Sequence, residues 1–194
     1  MCGRYEFNIK DSRRTIQINE RAKKLNLVFK QGEIFPSDVV LCIIPKENKI
    51  DLDTMKWGIK SKSLLINAKV ETIEDRPTYN AIKHNRCAVI CNGFYEWDKD
   101  SQKYYIDFEE DYMYLACIFN ENKELVILTT SASDEFKYIH DRMPIIMNQS
   151  EMLNYIHSRD DLFVSKYLKI HKLTTDNKLF WCKILVWKIK KVLL

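Results

Sequence analysis

Between residues 86 and 130 four strand-like stretches follow one another closely: RCAVICNGFYEW, KYYIDFEE, YMYLACIFN and ELVILTT. All are short and rich in β-branched and aromatic side chains, which suit a pleated, half-buried surface. At this meander-like spacing they read as consecutive antiparallel strands, because neighbouring strands usually pair. The apolar run VVLCIIP, ending at Pro45, reads as a further strand. The expected class is α+β: mainly antiparallel sheets curled into a barrel-like core, with helices set around it.

The helices fall outside that stretch. DSRRTIQINERAKKLN (residues 11–26) reads as a polar surface helix with Asp11 or Ser12 as its N-cap. Residues 76–85 suit a helix with Pro77 in its first turn, and 149–157 and 160–170 suit two more. With only four glycines and four prolines there is no obvious linker, and no repeat is visible. The expectation is one domain over residues 1–194, in which 181–194 form a divergent tail. The ending LFWCKILVWKIKKVLL fits either an interfacial membrane helix or an element docked on the body, and docking is the more common arrangement.

A net charge of +4 permits a phosphate-binding face without demanding one. A hydrophobic content of 46% excludes a disordered chain. No stretch approaches a transmembrane span, and the charged start MCGRYEFNIKDSRR lacks an apolar signal segment. A cytoplasmic location with reduced thiols is therefore expected. Cys87 and Cys91 are spaced C-x3-C after His84, which raises zinc, but no second ligand pair has matching spacing. Alternation along a strand would put Cys87, Val89 and Cys91 on one face, as core packing requires.

Four places are richer in chemistry than a plain domain needs: MCGRY at the start, NAKVET at 67–72, CNGFYEW at 91–97 and IHDRMP at 139–144. Taken singly, each has an ordinary reading. Asn67 could satisfy loop backbone, Glu96 could face solvent from a strand, and His140 could be a hydrogen-bonded structural histidine. Together, in this order, they resemble the SOS response-associated peptidase (SRAP) proteins, also called abasic-site processing proteins. The resemblance runs from Met1 to about Pro144 and weakens beyond.

What the resemblance implies gives position two a purpose. In that family the initiator methionine is removed, so Cys2 carries both an α-amine and a thiol. An α-amine titrates near 7.7–8.0, against about 10.4 for lysine, so much of it is neutral and nucleophilic at cellular pH. The amine attacks an aldehyde and the thiol closes on the same carbon as a thiazolidine, with the rate advantage of an intramolecular step. The implied aldehyde is the ring-opened sugar of an abasic site in single-stranded DNA, and the implied product is a covalent protein–DNA crosslink.

The remaining roles are implied in the same way. Asn67 would hold Cys2, Glu96 would move protons in methionine removal and imine chemistry, and His140 would act as general acid/base on the sugar oxygen. Arg4, Lys69, Arg76 and Arg142 would contact phosphates, assisted by the Thr129 hydroxyl, and Pro36 would pack near the lesion. Methionine removal is either autocatalytic or done by an aminopeptidase. The family class is a peptidase-like hydrolase, with DNA lyase activity left open. No metal and no cofactor are expected. The expected partner is single-stranded DNA with abasic sites, the chain is expected to be a monomer without membrane contact, and the replication machinery and, in a bacterium, the nucleoid are the expected surroundings.

Two departures from the family pattern stand out. Lys69 replaces the usual arginine, exchanging a bidentate grip for a point charge. The loop IKSKSLLI after Trp57-Gly58 carries no aromatic where relatives have one or two tryptophans. Two other classes stay open: a cysteine-dependent peptidase acting on other proteins, and a non-catalytic single-strand binding module. A metal-dependent enzyme is more remote.

Overall fold

The computed structural model describes residues 2–9, 13–108, 110, 112–157 and 169–172. The strands from the first half of the chain are β1 (Arg4–Phe7), β2 (Gly32–Ile34), β3 (Val39–Lys46), β4 (Lys49–Trp57), β5 (Ile59–Lys60), β6 (Leu64–Leu65) and β7 (Asn67–Lys69). Those from the second half are β8 (Arg86–Cys91), β9 (Gly93–Trp97), β10 (Lys103–Asp107), β11 (Met113–Phe119), β12 (Glu124–Ser131), β13 (Arg142–Pro144), β14 (Ile146–Met147) and β15 (Lys169–Lys172). Three helices accompany them: α1 (Arg13–Lys24), α2 (Pro77–Asn80) and α3 (Gln149–His157).

Two sheets carry the architecture. In the larger, β12–β4–β3–β8–β11 returns to β12, because β12 pairs antiparallel with β11 on one side and parallel with β4 on the other. The five strands form a ring, the barrel-like core that the strand pattern predicts. Its buried side is mainly apolar: Val89, Leu115, Cys117, Leu125 and Ile127 are all 0% exposed. The smaller sheet, in the order β15–β10–β9–β1–β2, is open. Strands β1, β9 and β10 alternate buried and half-buried positions, so one face meets the core and the other faces outward.

Six of the strands between 39 and 131, β3 and β8 to β12, lie where the apolar runs predict them, but they are not one meander. β8 belongs to the ring and β9 to the open sheet. The switch is made at Asn92, which is 2% exposed: its side-chain oxygen accepts from the Asn8 amide at 2.5 Å and its own amide donates to the Glu6 carbonyl at 2.8 Å. Gly93 follows because a Cβ there would sit 2.7 Å from the Ile106 carbonyl oxygen.

Among the helices, α3 has the predicted bounds. Asn148 and Glu151 form a reciprocal capping box at 3.0 and 2.8 Å, and Tyr155 donates to the Cys117 carbonyl at 2.7 Å, fastening the helix to the ring. The helix expected over 76–85 is a single turn, α2, followed by turns, since none of its residues is buried. Of the helix expected over 160–170, Lys169 and Ile170 instead lie in β15, paired on β10, and the rest lies outside the described residues. The N-cap candidates Asp11 and Ser12 and the tail 181–194 also lie outside them. No described helix is long and apolar enough to cross a membrane. Cys87 and Cys91 are fully buried in the ring wall, as core packing predicts.

Candidate functional site

The start of the chain is held where the two sheets meet. β1 is a central strand of the open sheet, and its inward residues Tyr5 and Phe7 are each 1% exposed, with the Tyr5 ring 5.4 Å from that of Trp57. Anchored this way, Cys2 is itself fully buried. Its thiol points back to the Arg4 carbonyl at 3.9 Å. Burial pushes the thiol well above its ordinary pKa, and the charge of Glu96 pushes it further. At neutral pH the sulfur is a protonated thiol, not a thiolate.

Asn67 grips the backbone of that residue. Its Nδ2 donates to the Cys2 carbonyl at 2.9 Å. Asn67 is placed by β7, which pairs parallel with β12 and sets Asn67 opposite Ile127. Two side chains fix the segment further: Trp57 Nε1 donates to the Ile66 carbonyl at 3.0 Å, and the Tyr79 hydroxyl to the Asn67 carbonyl at 2.9 Å. The Asn67 side-chain oxygen is buried and has no hydrogen-bond donor among the described residues. One acceptor is thus left over beside Cys2.

Glu96 lies on the inward face of β9, 4% exposed, while its neighbours Tyr95 and Trp97 turn outward. Burial raises its carboxyl pKa, and the charge of His140 works in the opposite direction. His140 comes from a turn held by two buried side chains, Phe136 against Phe94 and Ile139. Its Nδ1 accepts from the Arg142 amide at 3.0 Å, so the neutral ring carries its proton on Nε2. Cys2, Asn67, Glu96 and His140 are thereby brought into one group, of which Asn67 and His140 are the half-buried members.

The residues assigned to DNA contact separate into two kinds. Lys69 and Arg76 are exposed and form no ion pair among the described residues. Arg142 and Arg4 are tethered. Arg142 makes a bidentate pair with Glu71 at 2.8 and 2.9 Å and donates to the Thr129 carbonyl at 2.6 Å and hydroxyl at 3.2 Å. Thr129 is fully buried, so its hydroxyl faces Arg142 and the Ala68 carbonyl rather than solvent. Arg4 pairs with Glu33 at 3.1 Å. Pro36 occupies the corner of a turn over Phe35–Asp38, closed by the Asp38 amide on the Phe35 carbonyl at 3.1 Å.

Glu71 is the residue the sequence reading passes over. Besides Arg142 it accepts from the Thr130 hydroxyl at 3.2 Å and the Ser131 amide at 3.1 Å. The Arg142 guanidinium holds its carboxyl down at a pKa of about 2. A lone carboxylate inside NAKVET, among motifs otherwise supplying Lys69, Arg76 and Arg142, is the available signal for it. Among the described residues no three His, Cys, Asp or Glu side chains gather as metal ligands would.

The model of the SOS response associated peptidase (SRAP) family matches residues 1–185. The chain belongs to the SRAP family. Among curated members it is 28% identical to "Abasic site processing protein YoaM" of Bacillus subtilis, over 70% of each chain. It is 27% identical to "Abasic site processing protein YoqW" of the same organism, over 62% of this chain, and the match spans 65% of that relative's length. It is also 27% identical to "Abasic site processing protein HMCES" of Xenopus tropicalis, over 52% of this chain and 43% of that one. The SRAP fold recurs in a crystal structure of a Bacteroides thetaiotaomicron protein, with a TM-score of 0.71 at 18% identity over 90% of this chain and 93% of that one. A Bordetella bronchiseptica protein gives 0.70 at 17%, over 89% and 100%.

Proposed function

We propose that this SRAP chain, once Met1 is removed, captures abasic sites in single-stranded DNA by bonding Cys2 to the ring-opened sugar. While residue 1 is attached, the Cys2 nitrogen is an amide and does not attack carbonyls. After its removal the α-amine adds to the aldehyde carbon and water leaves, giving an imine. The thiol then adds across the carbon–nitrogen double bond: the sulfur–carbon bond forms, and the sulfur's proton passes to nitrogen. The product is a thiazolidine, formed without oxidant or reductant.

The observation that carries this reading is the surroundings of Cys2. Its carbonyl is gripped by Asn67, its thiol is kept neutral by burial and by Glu96, and His140 is presented with a defined tautomer. A neutral thiol suits a second-step nucleophile that gives its proton to the imine nitrogen. Glu96, a buried carboxyl beside Cys2 whose pKa burial raises, suits the transfers before and after. His140 Nε2 can give a proton to the sugar ring oxygen as the ring opens. The names of the curated relatives support abasic-site DNA as the substrate class.

A peptidase acting on other proteins fits less well. An internal cysteine would serve such an enzyme equally well, and the α-amine of Cys2 would then have no part in the chemistry. The deciding experiment incubates processed full-length protein with an abasic single strand and looks for a denaturation-resistant adduct. Wild type should form it, while Cys2→Ala and a form retaining Met1 should not. An adduct of equal yield in Cys2→Ala would overturn the reading.

A further inference from the structure

The outward face of the open sheet carries a row of cations and rings that the chemistry above does not use. The Arg4 guanidinium lies 4.4 Å from the centroid of Phe35 and 5.0 Å from that of Trp97, so the cation sits against both rings. Lys103 continues the row, 5.4 Å from Trp97 and 4.1 Å from Tyr95. Glu33 holds both cations, at 3.1 Å from each. We propose that Phe35, Arg4, Trp97 and Lys103 form a ladder on which unpaired nucleobases flanking the lesion stack, with Phe35 supplying its exposed ring. The inference rests on the single-strand reading above and adds the surface that would hold the strand beside Cys2.

Three observations favour bases over phosphates as the occupant. A carboxylate shared between two cations repels phosphate, yet it steadies the cations against the ring faces where a base can stack. Phe35 is 40% exposed, and the turn that displays it places Ser37 at φ 79°, a conformation that favours glycine. A ring held in water by a strained turn is an arrangement that binding would explain. The row also begins close along the chain to the reacting residue. Arg4 lies two positions after Cys2, about 7 Å along an extended strand, and Trp97 directly follows Glu96 on the opposite face of β9. The 59–66 segment offers no aromatic for this purpose, so Phe35 stands in for it from another direction.

The test compares two dye-labelled strands by fluorescence anisotropy, using the full chain. One is undamaged oligothymidylate, and the other is a strand of the same length built from tetrahydrofuran nucleotides, with the same phosphates and no bases. Wild type should prefer the strand with bases. Phe35→Ala should weaken that binding by roughly 5- to 100-fold, leave the base-free strand within about twofold, and regain affinity as Phe35→Trp. Equal losses on both strands, or no loss on the thymidylate, would overturn the ladder. A thermal melt of each variant shows that it is folded. The Cys2 adduct assay on wild type reports separately on the parent reading, since neither strand in the anisotropy experiment carries an aldehyde.

Discussion

The ring and the open sheet bury their inward faces equally well, yet they spend polar chemistry in opposite ways. The ring wall holds Cys42, Cys87 and Cys117, all fully buried, and burial first, then the neighbouring thiols Cys117 and Cys42, drive the Cys87 thiol far up. These sulfurs act as small apolar side chains. Cys2 is just as buried, but it lies against Glu96 and under the amide of Asn67. The open sheet thus buries a carboxyl, Glu96, beside a thiol, whereas the charges of the ring strands, such as Asp51, are paired with Arg21 and Lys46. Burial is common to both regions; what sets Cys2 apart from the ring thiols is the carboxyl buried beside it.

Cys2→Ala is the sharpest way to break this contrast. It should abolish adduct formation while shifting the thermal midpoint less than a core truncation does, which denaturing gels and a melt on one preparation would show. Glu96→Gln comes next, slowing adduct formation by roughly 10²–10⁴-fold, the usual contribution of a positioned acid/base. Its stability should move the other way. A carboxyl with a raised folded pKa supports folding fully below its unfolded value and loses that support as pH rises through the folded value. Glu96→Gln should therefore be the more stable protein at pH 8, with the difference vanishing below about pH 4. Melts across that range that never diverge would refute it.

Leu115→Ala tests the ring itself. Leu115 is fully buried in β11, so its truncation should cost about 2–5 kcal/mol in denaturant unfolding. The folded fraction should still crosslink at near wild-type rate. The smallest effect belongs to Glu71→Gln. Its carboxyl is depressed to about 2, so it stabilises the fold fully above the ordinary 4.5 and loses that contribution as pH falls toward 2. The carboxylate is 41% exposed, which discounts the effect to about 1 kcal/mol. The variant's stability should change less than wild type's between pH 5 and pH 2. A readout beyond stability is the adduct rate, which should fall severalfold as Arg142, and with it the amide bound to His140 Nδ1, loses its tether.

Much of this was legible in the residues. Runs such as ELVILTT and YMYLACIFN name their strands because β-branched and aromatic side chains fill a pleated wall wherever it lies. Which wall they fill was not legible. The break between β8 and β9 depends on Asn92 meeting Glu6 and Asn8 from the far end of the chain, and local pattern carries no trace of such a meeting. The segment 76–85 has helix-compatible residues but only Tyr79 and Ile82 pack, partly buried, against the core, and it turns aside after one coil. At the site, motif residues such as Asn67 and Glu96 could be singled out by their type and company. Phe35, Glu33, Lys103 and Glu71 could not, since each gains its meaning from a neighbour dozens of positions away.

The closing strand of the ring has a consequence in time. β12 pairs with β4, with the segment bearing Asn67, and with β13 just after His140, so three distant pieces are drawn together on one late-synthesised stretch. Until that stretch is made and docked, Cys2 has neither the amide of Asn67 nor the imidazole of His140 near it. The group around Cys2 is therefore complete only once β12 and β13 have been made and docked.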